Sequence, residues 1–277
     1  MGASDQELTG RVAIVTGAGA GIGAGIAAML AEAGVAVTVA DIDGERAAST
    51  AKAIEKRGGR AITVTADVSD AHEIDALVRQ TVTDLGGIDI LVNNAGIATT
   101  ELVEDLDEEK WRGVLDVNLT GPFLCCKAVL PYMRRKGWGR IVNVASVAAK
   151  RISFTGAASY TASKAGLLGF TRHLAYEVAP HGINVNAICP GPTMTPMYER
   201  NADEQTRGSP WSPRGDGSPP RTMDGSRCSS ARRLRTPCAG SRSMWMAVVC
   251  SDGCRGSATW PSAGGSATRL NRDRIGG

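Results

Sequence analysis

Short β-branched runs alternate with longer alanine- and leucine-rich stretches over most of the first two hundred residues. Runs 11–16, 35–41, 61–66, 88–93, 141–145 and 183–189 are apolar on both faces and read as strands. Segments 26–33, 45–56, 72–84, 111–133 and 157–178 carry a 3.6-residue period and read as helices. A strand that is apolar on both faces must be covered from both sides. Helices between the strands supply that cover and the long crossovers that parallel strands need. The pattern predicts a single α/β domain with a doubly wound parallel sheet. Ligands in such a domain sit beyond the carboxyl ends of the strands.

The residues at those ends are therefore the candidates for function. After the first strand comes Thr16-Gly17-Ala18-Gly19-Ala20-Gly21-Ile22-Gly23. Glycines let the backbone turn tightly against a pyrophosphate, and the next helix offers its positive N-terminus. The spacing is Thr-Gly-x-x-x-Gly-x-Gly and not Gly-x-Gly-x-x-Gly. Taken alone such a loop is also compatible with a plain tight connection; its place between strand and helix favours phosphate. Asp41 ends the second strand. A carboxylate there accepts from a ribose 2′-hydroxyl and repels a 2′-phosphate. Ala20 offers no cation for such a phosphate, so both residues favour NAD over NADP.

Asp67-Val68 follows the third strand, as a helix cap or as part of the same ligand edge. Asn93-Asn94-Ala95-Gly96 follows the fourth, with a simple turn as the alternative. Asn118 falls mid-helix, where asparagine is mildly unfavourable and needs a reason. Ser146 follows the fifth strand, and Cys189-Pro190-Gly191-Pro192-Thr193-Met194-Thr195 the sixth. Tyr160 and Lys164 sit one helical turn apart on a shared face. An ammonium beside a phenol favours the phenolate, so Lys164 is expected to lower a pKa that starts near ~10. Taken alone, the pair fits an exposed tyrosine and a solvated lysine better.

Together, the Thr16-to-Gly23 loop, the Asn93-to-Gly96 turn, Asn118, Ser146, Tyr160-x-x-x-Lys164 and Pro190-Gly191-x-x-x-Thr195 resemble the short-chain dehydrogenase/reductase family, in order and in spacing. The Ser146-to-Tyr160 segment is one residue longer than is commonest there. The resemblance covers about residues 8–200, and the overall look is similar to 3-oxoacyl-carrier-protein reductases and cyclic secondary-alcohol dehydrogenases. It implies a Rossmann fold, and hydride transfer between a nicotinamide cofactor, NAD, and a small ketone or secondary alcohol. Tyr160 would be the general acid/base and would also touch the cofactor, and Lys164 would lower its pKa and hold the nicotinamide ribose. Ser146 would polarise the substrate oxygen, and Asn118 would hold a relay water. Thr195, after Pro190 and Gly191, would hold the carboxamide. Gly17, Ala20, Gly21, Ile22, Gly23, Asp41, Asp67, Val68, Asn94, Ala95 and Gly96 would line the rest of the dinucleotide. No metal is needed. The family implies a homotetramer or homodimer.

Composition changes near residue 200. From Asn201 the chain carries twelve Arg, no Lys and six Asp or Glu, a net of 12 − 6 = +6. The remainder is then 3 − 6 = −3, which gives no basic surface for nucleic acid. No apolar run approaches the ~18 residues of a membrane span, and no apolar leader opens the chain, so a cytoplasmic enzyme is expected. The expected division is a catalytic domain over 1–200 and a non-homologous, disordered tail over 201–277. A shifted reading frame accounts for that tail: Met244-Trp245-Met246-Ala247 forces the codons ATG TGG ATG GCN, which encode Val-Asp-Gly, a family C-terminal signature, when read one nucleotide earlier. On that reading the catalytic set is intact, but assembly and activity are weakened.

Overall fold

A computed structural model describes residues 8–151, 153, 156–191, 193–197, 199 and 201. Residues 202–277 of the predicted 201–277 tail and Pro192 lie outside the described residues. Six parallel strands form one sheet: β1 (Val12–Thr16), β2 (Ala36–Asp41), β3 (Ala61–Thr65), β4 (Ile90–Asn93), β5 (Gly139–Val144) and β6 (Ile183–Ile188). Their order is β3-β2-β1-β4-β5-β6. The order reverses direction between β1 and β4, where Ile14 pairs with Leu91 and Val15 with Val92. All six predicted strands form, each within the expected stretch or two residues beyond it.

Both sheet faces are buried, as the uninterrupted apolar strands require. On one face, helices α1 (Gly21–Glu32) and α2 (Gly44–Glu55) pack Ala27, Ala31, Ala47 and Ile54 onto Val15, Val37 and Val39. The small alanines let these helices lie close to the strands. On the other, α3 (Ala71–Leu85), α5 (Gly121–Lys136) and α6 (Ala158–Val178) bring Ile74, Leu77, Cys126, Met133 and Leu174 against Ile14, Leu91 and Ile141. Asp70 caps α3, accepting from His72 N at 2.7 Å and Glu73 N at 3.3 Å. Asp67, three residues earlier, closes a turn instead, accepting from the amide and hydroxyl of Ser69 at 2.8 and 2.7 Å.

The predicted helix over 111–133 departs from a regular α-helix at one place. The chain forms α4 (Glu108–Leu115), a π turn (Asp116–Thr120) and then α5, with Gly121 N donating to Asp116 O five residues back. This wider turn carries Asn118, which is fully buried. The continuous helix 108–136 is long and apolar enough to cross a bilayer. Here its apolar residues Cys125, Val129 and Met133 are buried within the core. Leu77→Ala should cost about 2–5 kcal/mol in denaturant unfolding, because Leu77 is 1 % exposed and flanked by rigid strands. A loss under about 1 kcal/mol would contradict this packing.

Candidate active site

At the switch point the ends of β1 and β4 are clasped together. Thr16 Oγ1 accepts from Asn94 N at 3.0 Å and Ala95 N at 3.1 Å. Asn94 Nδ2 donates back to Thr16 O at 3.0 Å and Gly17 O at 2.9 Å. Gly17 has φ +60° and lies so close to the second loop that a Cβ would stand 2.7 Å from Ala95 Cα. Gly23 packs its backbone directly on the Gly17 carbonyl and the Asn94 amide. The loop thus has a shape that only glycine allows.

At the start of α1, Ala20 is the cap residue and supplies no side-chain hydrogen bond, and the first turn holds no acidic residue. Helix N–H groups that no side chain satisfies suit a pyrophosphate. Nearby, Asp41 Oδ2 accepts from Gly19 N at 2.8 Å and its Oδ1 from Asp43 N at 3.0 Å. The glycine loop is thereby tied to the end of β2. These features fit a dinucleotide.

A cavity of about 490 Å³ opens at the carboxyl ends of β1, β4, β5 and β6. Of the residues singled out from sequence, Gly17, Ala20, Gly21, Ile22, Asn94 and Gly96 line one side. Ser146, Tyr160, Lys164, Pro190, Gly191 and Thr195 line the other. Gly23, Asp41, Ala95 and Asn118 support this lining from behind. Asp67 and Val68 are not part of it: Asp67 closes its turn with Ser69, and Val68 is buried against Gly121.

Ser146 and Tyr160 line the cleft together, the serine hydroxyl near enough to favour the phenolate. Ser146 Oγ also accepts from Ala148 N at 3.1 Å, which fixes its hydroxyl at the head of the short turn Val147–Ala149. Lys164 is 4 % exposed, donates to Val144 O at 2.9 Å, and has Nζ 5.8 Å from the centre of the Tyr160 ring. Burial pushes the lysine down to about 8, with Cys189 opposing. Burial also raises the Tyr160 phenol above its ordinary value, and the nearby Ser146 hydroxyl offsets part of that. The expected lowering of Tyr160 is therefore corrected: desolvation dominates, and the tyrosine is a protonated acid at neutral pH.

Asn118 serves the site through its whole side chain. Its Oδ1 accepts from Ile97 N at 2.8 Å, and its Nδ2 donates to Ile97 O at 2.8 Å and Ser163 Oγ at 3.0 Å. Ser163 in turn donates to Tyr160 O at 2.8 Å. One buried chain of bonds thus joins the loop after β4, the π turn and the helix that carries Tyr160. Ser163, absent from the sequence-derived set, was visible there as the residue three after Tyr160, on its helical face. Arg46 and Arg151 also line the cavity and had no sequence signal beyond their charge. Among the described residues no group of three or more His, Cys, Asp or Glu could hold a metal ion.

The family model for short chain dehydrogenases matches residues 11–206. The chain belongs to the short-chain dehydrogenase/reductase family. It is 46% identical over 192 residues to the short-chain reductase protein NovJ of Streptomyces niveus, spanning 69% of this chain and 72% of that one. It is 45% identical over 193 residues to a 3-oxoacyl-[acyl-carrier-protein] reductase of Synechocystis, spanning 69% and 78%. The crystal structure of a short-chain type dehydrogenase/reductase from Mycobacterium marinum is similar, with TM-score 0.69 and 35% identity over 72% of this chain and 80% of that one. A short-chain dehydrogenase/reductase is a hydride-transfer oxidoreductase that uses a nicotinamide cofactor and a small-molecule substrate.

The lysine sets a pH dependence of stability. Its folded pKa, about 8, lies below the ordinary 10.5, so between those values the unfolded chain binds the extra proton. Stability therefore rises with pH across that window as far as Lys164 is concerned. The buried thiols of Cys125 and Cys126, pushed up by burial, act in the opposite sense at the alkaline end. The difference between wild type and Lys164→Met isolates the lysine. That difference should change by about 1–3 kcal/mol in unfolding free energy from about pH 7 to about pH 10. A pH-independent difference would show that Lys164 is solvated.

Proposed function

We propose that the chain interconverts a ketone and a secondary alcohol with NAD, using Tyr160 as general acid/base. The observation that carries this reading is the convergence of Ser146, Tyr160 and a buried Lys164 on one cleft, with the lysine Nζ 5.8 Å from the centre of the Tyr160 ring. The nicotinamide cofactor, when bound, supplies or takes up the hydride. The backbone amides of Ala20, Gly21 and Ile22 would hold its pyrophosphate, Asp41 its adenosine ribose, and Lys164 its nicotinamide ribose. Pro190, Gly191 and Thr195 would hold the carboxamide end, with Asn94, Ala95 and Gly96 beneath.

In the direction of reduction, the Tyr160 hydroxyl gives its proton to the carbonyl oxygen, and Ser146 donates a hydrogen bond to the same oxygen. A phenol kept protonated by burial is ready for that step. Lys164, titrating near neutral pH, can pass a proton in from solvent as the phenolate forms. Both amide hydrogens of Asn118 are used by Ile97 and Ser163, so a relay water would rest on an Asn118 carbonyl oxygen. NAD is favoured over NADP because Asp41 and Asp43 together outweigh Arg46, whose Nε is 3.0 Å from Asp43.

A second reading has its own support. The family match ends at residue 206, and on β6 Asn184 and Asn186 are exposed while Ile188 is half-buried. These fit an NAD-binding but catalytically impaired product of a shifted frame, with a weakened oligomer. The coding DNA separates the two, since a homologous gene that keeps the tail at the protein level removes the second. For the first reading, purified full-length chain should oxidise secondary alcohols with NAD in preference to NADP. Tyr160→Phe should lower the rate by about 10²-fold or more while changing NAD binding by calorimetry far less. Activity retained in Tyr160→Phe would overturn the assignment.

A further inference from the structure

Three cations line the cleft, and none of its lining residues among those described is a carboxylate. Two of the three already have a function or a partner. Arg46, at the glycine-loop end, is paired with Asp43. Lys164 is buried and bonded to the Val144 carbonyl. Arg151 is different. It is exposed, and no described carboxylate pairs with it.

Its backbone is tied to the catalytic serine. Val147 N donates to Pro190 O at 3.1 Å, which anchors the turn that begins at Ser146 to the end of β6. Ala149 N donates to Ser146 O at 3.0 Å, and the amides of Lys150 and Arg151 both donate to Val147 O, at 3.0 and 3.2 Å. Consecutive turns therefore hold Arg151 at a set position relative to the Ser146 hydroxyl. The other lining residues of this part of the cleft, Ala98, Ala148 and Ser153, are small and neutral. They offer it no countercharge.

A cleft walled by one sign of charge concentrates anions, and a guanidinium fork matches a carboxylate through two parallel hydrogen bonds. The phosphates of a dinucleotide find their donors at the opposite end, at the start of α1. We propose that Arg151 recognises a carboxylate on the substrate, so that the preferred substrates are oxo acids and hydroxy acids. The inference rests on the hydride-transfer reading of the same cleft: the carbonyl or carbinol group lies at Ser146 and Tyr160, and the acid group lies at Arg151.

A ketone bound with oxidised NAD cannot react, so recognition can be measured apart from turnover. With NAD-saturated full-length protein, calorimetry should show 3-oxocyclohexanecarboxylate binding roughly ten- to a hundredfold more tightly than its carboxamide. Arg151→Gln should erase that preference, and Arg151→Lys should keep part of it. Equal binding of the two ligands, binding of neither, or a preference that survives Arg151→Gln overturns the proposal. So does a loss confined to NAD affinity in Arg151→Gln, which would assign the arginine to the cofactor. If the acid is preferred but reduced NAD is not consumed with it, the recognition stands and the hydride-transfer reading fails.

Discussion

The clasp between Thr16 and Asn94 is the constraint on which the site depends. Four hydrogen bonds across the β1–β4 switch point hold the glycine loop and the Asn94-to-Gly96 loop at one separation. Polar bonds with fixed directions do there what packing does in the core. Because Thr16 is 2 % exposed, those bonds are shielded from competing water. The start of α1, and with it the unsatisfied helix N–H groups, takes its position from this junction.

A second set of buried polar bonds continues inward from the clasp. Asn93, next to Asn94, donates to Asn143 Oδ1 at 2.8 Å, and Asn143 donates to Thr171 Oγ1 at 2.9 Å. These link β4, β5 and α6 through an otherwise apolar layer. The Asn118–Ser163–Tyr160 chain performs the same task one level closer to solvent. Buried polar groups are costly unless paired, so each pairing selects one helix register over its neighbours. Helix α6 is held by both networks, and α6 carries Tyr160 and Lys164. The tyrosine's place is thus specified from below and from behind.

Most of the fold could be read in the sequence, because strands apolar on both faces leave few alternatives to a covered parallel sheet. Ser146 could be placed at a strand's carboxyl end and Tyr160 and Lys164 on one helical face, and the family resemblance joined the three into one site. Other features were not legible. The π turn at Asn118 has no periodic signature strong enough to break a predicted helix, since the pattern of apolar residues continues through it. Asp67 looked like a cap or a ligand-edge residue, yet Asp70 took the cap and Asp67 the turn before it. Such choices are decided by one residue of register, below the reach of sequence patterning.

The sequence by itself determined the order of elements, the class of the sheet and the candidates for the reacting groups. These depend on local chemistry: side-chain branching, apolar period, glycine at the close turns, and a phenol one turn from an ammonium. Only the tertiary structure decided their electrostatics. Proximity in sequence suggested that Lys164 would lower Tyr160, but desolvation raises the phenol and holds the lysine at about 8. Desolvation depends on how many atoms from distant parts of the chain crowd a group, a quantity that no local spacing encodes. Arg151 makes the same point in reverse, as an ordinary surface arginine in the sequence that the fold sets on the lining of the same cleft as Ser146.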